Sequence, residues 1–172
     1  LGASGHGKVV ADTAELLGYE AAFFDDAWPL LEANGHWPVV GDTARLLSLV
    51  CEFSGAAVAI GNNRIRLDKL NLLGDAGFDL PVLVHPQACV SRYAVLGSGT
   101  VVCAGAAVNA DAQVGSGVIL NTGCTVDHDC VLGDAVHVSP GANLAGGVKV
   151  GACSWIGIGS SVRQLITIGA NV

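Results

Sequence analysis

The segment from Asn121 to Asp129 brings together side chains that can move a proton. Within nine residues it holds an amide, an imidazole and two carboxylates, at Asn121, His128, Asp127 and Asp129. An imidazole is the natural general base near neutral pH, and an adjacent carboxylate fixes its tautomer and raises its basicity. The neighbouring His128 and Asp129 therefore predict a general base with its supporting acid, and Asn121 is a further candidate catalytic residue.

A six-residue repeat determines where this segment lies in the fold. From Val84 to Ile168 every sixth residue is aliphatic, fifteen in succession with no insertion, and the residue two places before each is small or β-branched. Apolar positions two apart are typical of strands, and the glycine and polar residues after them favour turns. Three such sides give a coil of eighteen residues, so the stretch 82–171 predicts about five coils of a parallel β-helix. A sandwich rich in valine and glycine would need strands of varying length, which this unbroken repeat does not show.

The same repeat predicts which residues stack on one another. Gly146 follows His128 by eighteen residues and is expected to lie directly over it in the next coil. A glycine there can offer an unhindered backbone N–H to a developing oxyanion, which makes Gly146 a candidate catalytic residue. His137 lies half a coil beyond His128, so a metal site with two imidazoles and an aspartate is one alternative, although no dense ligand spacing is present. A solvated ladder of Asp and His side chains without a function is another alternative.

Composition limits the class of protein. The formal net charge of −7 argues against a nucleic acid as partner, because phosphate binding needs a basic surface. No stretch is long and apolar enough to cross a bilayer, and no charged-then-apolar leader is present, so we expect a cytoplasmic protein without membrane insertion. The six cysteines show no C-x-x-C pairing. Cys124 and Cys130 fall in the small inward-facing row, which predicts buried thiols in a reducing compartment.

The first part of the chain lacks the repeat and predicts a small α/β domain. Residues Gly2 to Gly7 form a Gly-x-x-Gly-x-Gly turn before a predicted helix over 8–17. Such a turn presents backbone N–H groups and a positive helix end to an anion. A predicted strand over 21–24 ends in Asp25–Asp26, at the position where doubly wound folds contact a ribose or base. These features favour nucleotide or phosphate binding over a tight turn without a ligand.

A further strand is predicted over 56–60, and it ends in Gly61–Asn63 before a second helix over 64–73. About eighty residues hold one mononucleotide half, which argues against a nicotinamide oxidoreductase. We expect two domains, residues 1–80 and 81–172, because the composition changes there. A strand should precede the first residue, and a cap should follow the last coil, since a bare β-helix end exposes an aggregation-prone edge. We therefore expect the protein to extend beyond both ends of this sequence.

The chain resembles the acetyl-CoA-dependent N-acetyltransferases of bacterial nucleotide-activated 4-amino sugars, a family related to sialic acid O-acetyltransferases. The resemblance covers essentially the whole chain and rests on residues 2–7, 25–26, 59–63, 119–122, 127–130 and 137–139. It implies an α/β N-terminal Rossmann-like half-domain followed by a left-handed parallel β-helix of hexapeptide repeats. General chirality favours right-handed crossovers, so the left hand rests on the resemblance alone. A homotrimer with acetyl-CoA between adjacent β-helices is also implied.

The same resemblance implies a reaction and its residues. An acetyl group would pass from acetyl-CoA to the amine of a nucleotide-linked 4-amino sugar, with UDP as the favoured nucleotide, in bacterial surface glycan or glycoprotein biosynthesis. His128 would be the general base, and Asp129, where the family often has glutamate, would raise its basicity. His137, Gly146 and Ile158 would contact acetyl-CoA, and no metal is expected. The nucleotide sugar would be bound by residues of the N-terminal domain, namely Ser4, Gly5, His6, Asp25, Asp26, Asn62 and Arg66.

Three alternative functions use the same residues. O-acetylation of a sugar hydroxyl would rely on the same His128 and Asp129, so the acceptor atom is open. A β-helical protein that binds a nucleotide sugar without turnover would release no thiol from acetyl-CoA. A zinc enzyme similar to β-helical carbonic anhydrases would bind its metal between subunits through His128 and His137.

Overall fold

The N-terminal part of the chain contains three helices and three short strands. The structure is a computed structural model that describes residues 1–172. The first elements in chain order are α1 (Gly5–Leu16), β1 (Phe23–Phe24), β2 (Ala33–Asn34), β3 (Trp37–Gly41), α2 (Thr43–Leu47) and α3 (Asn63–Asp75). Strand β3 pairs in parallel with β1 and in antiparallel with β2. None of the helices combines the length and the hydrophobicity that crossing a membrane requires.

The first three residues lie between β1 and a second extended segment. The Gly2 N–H donates to the Phe24 carbonyl (2.8 Å), and the Ala59 N–H donates to the Leu1 carbonyl (2.8 Å). The Leu1 amino group donates to the Ala57 carbonyl (2.6 Å). These bonds give the parallel arrangement of a doubly wound half-domain, in which the glycine-rich turn follows the central strand.

The predicted helices are confirmed, and each starts earlier than expected. Helix α1 begins at Gly5 with Ser4 as its N-cap, and α3 begins at Asn63 with Asn62 as its N-cap. The predicted strand over 21–24 shortens to β1, and the predicted strand over 56–60 is extended without being part of a regular ladder. The β2–β3 hairpin and α2 were not predicted, because glycine and proline interrupt the strand pattern there.

The six-residue repeat folds into fifteen two-residue strands, and each ends on an aliphatic residue of the repeat. They are β4 (Leu83–Val84), β5 (Cys89–Val90), β6 (Val95–Leu96), β7 (Val101–Val102), β8 (Ala107–Val108), β9 (Gln113–Val114), β10 (Ile119–Leu120), β11 (Thr125–Val126), β12 (Val131–Leu132), β13 (His137–Val138), β14 (Asn143–Leu144), β15 (Lys149–Val150), β16 (Trp155–Ile156), β17 (Ser161–Val162) and β18 (Thr167–Ile168). The fold class is therefore confirmed as a Rossmann-like half-domain followed by a left-handed β-helix.

Three parallel five-stranded sheets form the faces of a triangular prism. Sheet 1 contains β4, β7, β10, β13 and β16, sheet 2 contains β5, β8, β11, β14 and β17, and sheet 3 contains β6, β9, β12, β15 and β18. Paired residues are eighteen apart, as for Ile119 and His137. We name the corners by the sheets they join: edge 1–2 (121–124 in one coil), edge 2–3 (127–130) and edge 3–1 (133–136).

Eighteen buried side chains from the two inward rows fill the prism. Cys124 and Cys130 belong to this core and are fully buried, which confirms their predicted orientation. The N-terminal domain packs on the outer side of sheet 1, where Leu83 and Val101 form a buried cluster with Val10 of α1. The domain that is expected to bind the nucleotide is thus fixed to one face of the β-helix.

Helix α3 contacts edge 3–1 over several coils. Leu70 packs against Gly99 and Gly117, and the Asn63 amide donates to the Cys153 carbonyl (3.0 Å). Gly99 and Gly117 have φ values of +68° and +64°, a left-handed conformation that favours glycine. A Cβ on either residue would also overlap a Leu70 methyl group. Glycine is needed here for the turn and for the close approach of the helix.

Replacing Gly117 should destabilise the protein more than replacing Gly123. Both residues have a φ of +64°, but only Gly117 faces Leu70, while nothing lies within 4 Å of a Cβ on Gly123. Each change to alanine should lower the free energy of unfolding by about 1–2 kcal/mol, because alanine is strained in the left-handed conformation. Gly117→Ala should lower the free energy of unfolding by about 1–3 kcal/mol more than Gly123→Ala, because the new methyl forces Leu70 to repack.

Urea unfolding followed by circular dichroism measures this difference, with Gly123→Ala as the control for backbone strain alone. Equal losses of unfolding free energy in the two variants would contradict the packing of α3 on edge 3–1.

Candidate active site

His128 and Asp129 lie at edge 2–3, directly after β11. The His128 Nδ1 is 2.7 Å from the Asp129 Oδ2, so the predicted hydrogen bond is present. Asp129 has a φ of +60°, a conformation that aspartate tolerates better than most residues. Neighbouring side chains of an extended chain point in opposite directions, and this left-handed turn is what allows two consecutive residues to meet. Both side chains are more than half exposed, at 62% and 65%, and are open to a ligand.

Asp127 accepts two hydrogen bonds at the same corner, edge 2–3. Its Oδ1 accepts the His128 N–H (2.8 Å) and an amide N–H of Asn109 (2.8 Å), and these bonds lower the pKa of the Asp127 carboxyl. The pKa of His128 is raised above its ordinary value of 6.5, first by the hydrogen bond to Asp129 and then by the charge of Asp127. A raised pKa makes the neutral imidazole a stronger base and confines its neutral form to higher pH.

Gly146 lies against the ring of His128, as the eighteen-residue spacing predicts. A Cβ on Gly146 would lie 2.5 Å from the His128 Cε1 and 2.6 Å from its Nε2, so only glycine leaves room for the imidazole in this orientation. The Gly146 carbonyl accepts the Leu165 N–H, whereas the Gly146 N–H donates to no group of the chain. A free N–H beside an imidazole is a suitable donor to an oxyanion.

Asn121 and His137 form a second group, at edge 1–2 and on the adjacent strand β13. The Asn121 Oδ1 accepts the Thr122 N–H (2.8 Å), which directs the Asn121 Nδ2 toward the His137 Nε2, 3.1 Å away. Because Nδ2 is a donor, the His137 Nε2 is the unprotonated nitrogen and its Nδ1 carries the hydrogen. The His137 ring stacks on Trp155, with centroids 4.8 Å apart. Asn121 thereby fixes the tautomer of a buried imidazole.

The two groups lie on different edges of the prism. Asn121 is at edge 1–2 and His128 at edge 2–3, with strand β11 between them. The structure therefore does not bring Asn121, an expected catalytic residue, to His128 within one chain. Ile158 belongs to edge 1–2 and is 78% exposed, whereas Gly146 belongs to edge 2–3. The expected acetyl-CoA contacts are divided between two edges as well.

Asp25 connects the glycine-rich turn to the end of β1. Its Oδ2 accepts the Ala3 N–H (2.7 Å), and its Oδ1 accepts the Ala27 N–H (2.9 Å). The Ser4 hydroxyl makes no capping bond to α1, and both Ser4 and Gly5 are exposed. The first N–H groups of a helix have no partner within it, so this end of α1 suits an anion.

Asp26 and Asn62 are exposed and also have structural roles. Asp26 pairs with Lys69 (2.8 Å) and accepts the Thr43 N–H (3.0 Å), and these contacts lower the pKa of the Asp26 carboxyl to about 2, with Lys69 the main cause. The Asn62 Oδ1 accepts the Ile65 N–H (3.1 Å) at the start of α3. Both lie at the ends of the extended segments where sequence patterns predict a ligand.

Arg66 is not available to a substrate. It is 1% exposed, and all five N–H groups of its guanidinium donate to acceptors of the chain. The expectation that Arg66 contacts the nucleotide sugar is therefore wrong in this structure. The Arg66 charge instead acts on His6 and His137, whose pKa values are lowered to about 4, chiefly by burial and secondly by Arg66.

Two residues that contact predicted site residues, Trp155 and Asn63, were not identified from the sequence. Trp155 pairs with His137 in sheet 1, and their eighteen-residue separation could have identified it. Its indole N–H donates to the Ser139 hydroxyl. Asn63 is buried at the start of α3 and donates to the Cys153 carbonyl, a long-range contact that no local pattern indicates.

The buried thiols are poor candidates for covalent catalysis. Burial raises the pKa of Cys124 to about 12 and also raises the pKa of Cys130. A thiol attacks as its thiolate, so these side chains do not suit an acyl carrier. No group of three or more His, Cys, Asp or Glu side chains is arranged to hold a metal ion.

Comparison with known proteins gives one family model and a curated relative that each match part of the chain. The family model of the PglD N-terminal domain matches residues 1–73. UDP-N-acetylbacillosamine N-acetyltransferase from Bacillus subtilis (strain 168) is 45% identical over 47 residues, which is 27% of this chain and 22% of the length of that relative.

Two solved structures match across both domains. The acetyltransferase domain of PglB from Neisseria gonorrhoeae FA1090, in complex with acetyl coenzyme A, is 47% identical, with a TM-score of 0.93 over 98% of this chain and 82% of that chain. PerB from Caulobacter crescentus, in complex with CoA and GDP-perosamine, is 43% identical, with a TM-score of 0.92 over 98% of this chain and 81% of that chain.

Gly146→Ala should displace the His128 imidazole without unfolding the protein. The new methyl overlaps the ring, which is exposed and free to rotate away. Rotation breaks the hydrogen bond to Asp129, and the pKa of His128 should then fall toward its ordinary value of 6.5. Proton NMR titration of the histidine ring measures this shift to lower pH.

Gly169→Ala is the matched control, because a Cβ there would first meet the Val172 Cγ2 at 3.8 Å, an ordinary contact. Its His128 titration and melting temperature should equal those of the unaltered protein. A His128 titration in Gly146→Ala that is identical to the unaltered one would contradict the contact between Gly146 and the ring.

Proposed function

The chain belongs to the family of N-acetyltransferases that act on nucleotide-linked amino sugars, and we propose that it transfers the acetyl group of acetyl-CoA to the amine of a nucleotide-activated 4-amino sugar. The observation that carries this proposal is the exposed His128–Asp129 pair beside the free N–H of Gly146. That pair offers a base for the amine, and the N–H offers a donor for the oxygen of the attacked carbonyl.

His128 acts as the general base through its Nε2. Asp129 accepts the hydrogen on Nδ1, which leaves Nε2 as the nitrogen with a free electron pair. Nε2 takes a proton from the sugar amine as the amine nitrogen forms a bond to the thioester carbonyl carbon. The Asp129 carboxylate stabilises the imidazolium that results, and the raised pKa of His128 reflects that stabilisation.

Gly146 supports the tetrahedral intermediate. Its N–H donates to the oxyanion that forms when the amine adds to the carbonyl, a contact typically worth about 2.7–4 kcal/mol of transition-state stabilisation. The carbon–sulfur bond then breaks, and the proton on His128 passes to the departing thiolate to give coenzyme A. No covalent acyl-enzyme is required, because a deprotonated amine is itself a good nucleophile.

A second copy of the chain completes the site, in a homotrimer. His128 and Gly146 lie at edge 2–3, whereas His137 and Ile158 lie at or beside edge 1–2, so sheet 2 separates the groups within one chain. Placing edge 1–2 of one copy beside edge 2–3 of the next unites them. Such a contact joins two different surfaces, and a closed ring of copies satisfies all of them.

The nucleotide lies at the start of α1 in this proposal, near Ser4, His6, Asp25 and Asn62. Its identity as UDP is supported by the similarity to UDP-N-acetylbacillosamine N-acetyltransferase. The cytoplasm is the proposed location, since all six cysteines are free thiols, as is usual in reducing compartments.

A thiol-release assay with acetyl-CoA tests the proposed reaction. The acceptors are UDP-, GDP- and dTDP-linked sugars, each with a 4-amino or a 4-hydroxy group, and the UDP-linked 4-amino sugar should react fastest. His128→Ala should lose about 10²–10⁴-fold in turnover, the usual contribution of a general base. Its dissociation constant for the nucleotide sugar should not change, because the nucleotide is bound by the N-terminal domain.

His85→Ala is the control, because it removes a histidine of the first coil whose Nδ1 is already bonded to the Gln87 N–H (3.0 Å). Its rate should equal that of the unaltered protein. Full turnover by His128→Ala would exclude His128 as the base, and the absence of thiol release with every acceptor would contradict acetyl transfer. Reaction of the 4-hydroxy sugars alone would replace N-acetylation by O-acetylation.

A further inference from the structure

Arg66 in α3 is a buried charge without a counter-charge. It is 1% exposed, and neither ion pair of the structure involves it. Burial lowers the pKa of the guanidinium to about 10, so it is still charged at neutral pH. Burying a charge without an opposite partner is unfavourable unless hydrogen bonds replace its hydration, and such a residue therefore calls for an explanation.

The five N–H groups of Arg66 bond to both domains. Within the N-terminal domain, Nη1 donates to the carbonyls of Ile60 (2.8 Å) and Gly61 (3.0 Å), and Nη2 donates to the Asn63 Oδ1 (2.8 Å). Across the domain boundary, Nε donates to the Gly117 carbonyl (2.7 Å) and Nη2 to the Ala135 carbonyl (2.7 Å). A planar guanidinium makes these bonds in fixed directions, so it ties the two domains together in one relative position.

The carbonyls that Arg66 binds belong to segments with expected roles in the reaction. Ile60 and Gly61 precede Asn62, at the strand end where a nucleotide is expected. Gly117 and Ala135 lie at edge 3–1, two residues before β10 and β13. Strand β10 leads into Asn121, and β13 begins with His137, so the guanidinium connects the nucleotide turn with the Asn121–His137 pair.

The charge of Arg66 acts on two imidazoles from different domains. His6 comes from the first turn of α1 and His137 from β13, and the pKa of both is lowered, chiefly by burial and secondly by the charge of Arg66. Each ring also has a buried nitrogen without a partner, the His6 Nε2 and the His137 Nδ1. Arg66 therefore favours the neutral form of two rings that lie where the domains meet.

Neighbouring residues of α3 contact the same edge through longer hydrogen bonds. Asn63 donates to the Cys153 carbonyl (3.0 Å), and the exposed Arg64 donates to the Asn171 Oδ1 (3.0 Å). The contacts at residues 117, 135, 153 and 171 follow the eighteen-residue spacing of edge 3–1. Arg64 thus offers a control with the same charge, helix and edge, but with one exposed bond.

We propose that Arg66 is a positioning residue for acetyl transfer, which holds the nucleotide-sugar turn at Ile60–Gly61 in a fixed position relative to the Asn121–His137 pair. This inference rests on the proposed function. Arg66 touches neither substrate; it sets the distance between the domain that binds the sugar nucleotide and the β-helix that carries the acetyl group.

Arg66→Lys is the principal test, because lysine keeps the positive charge but lacks the planar guanidinium group. The variant should bind the nucleotide sugar and acetyl-CoA with unchanged dissociation constants, since each binding surface is intact. Its kcat should fall about 10–100-fold, because a displacement of about 1 Å between reacting groups has that effect. A purely structural role would lower the melting temperature and leave kcat unchanged at temperatures well below it.

Asn63→Ala is the second variant: it removes one acceptor of the guanidinium, together with the Asn63 bonds to the Cys153 and Ser154 carbonyls, and it keeps Arg66 itself. It should lower kcat in the same direction and by less, again with unchanged dissociation constants. Arg64→Met is the control and should have the kcat of the unaltered protein. If Arg66→Lys does not fold, Asn63→Ala decides the test.

An unchanged kcat in folded Arg66→Lys, or in Asn63→Ala, would overturn the positioning role. A fall in kcat that Arg64→Met shares would overturn it too, since any weakening of the α3 contact would then suffice. Failure of the unaltered protein to release thiol with every acceptor would instead overturn the proposed function, so the two failures are distinguishable.

Discussion

Backbone hydrogen bonds between successive coils are the constraint on which the rest of this structure depends. Bonds such as Asn121 N–H to Val138 O (2.9 Å) and His137 N–H to Ser154 O (3.0 Å) place every residue beside the one eighteen positions away. The place of a residue in the eighteen-residue coil therefore determines its position in the β-helix. The repeat brings Gly146 over His128 and Trp155 against His137, and it aligns the carbonyls that α3 contacts.

The sequence could predict what the repeat governs and little of what crosses between domains. The inward row, the position of Gly146 and the meeting of His128 with Asp129 follow from spacing and residue type. The short sequence spacing also suggested that Asn121 and His128 lie close together. They do not, because the six residues of one side carry the chain from one edge of the prism to the next. Arg66 looked like a substrate ligand because the carbonyls that bind it come from distant residues, and no local pattern indicates a long-range acceptor.

Two histidines of the β-helix acquire different properties from their surroundings. His128 is exposed beside two carboxylates, and its pKa is raised, which suits a base that accepts a proton from an amine. His137 is buried against Trp155, and its pKa is lowered to about 4, chiefly by burial and secondly by the charge of Arg66, which keeps the imidazole neutral. Divergent environments of like residues are a common way to separate chemical roles. The two edges therefore carry complementary parts of one proposed site, which a single chain keeps apart.

Mixed assembly of two variants, each altered in one of the two groups, tests this division most directly. His128→Ala and His137→Ala chains are unfolded together, refolded at equal concentration and assayed for thiol release from acetyl-CoA. If each site combines edge 2–3 of one copy with edge 1–2 of the next, about one site in four contains both intact histidines, and activity should return to about a quarter of normal. Mixtures no more active than the separate variants would contradict a site shared between copies.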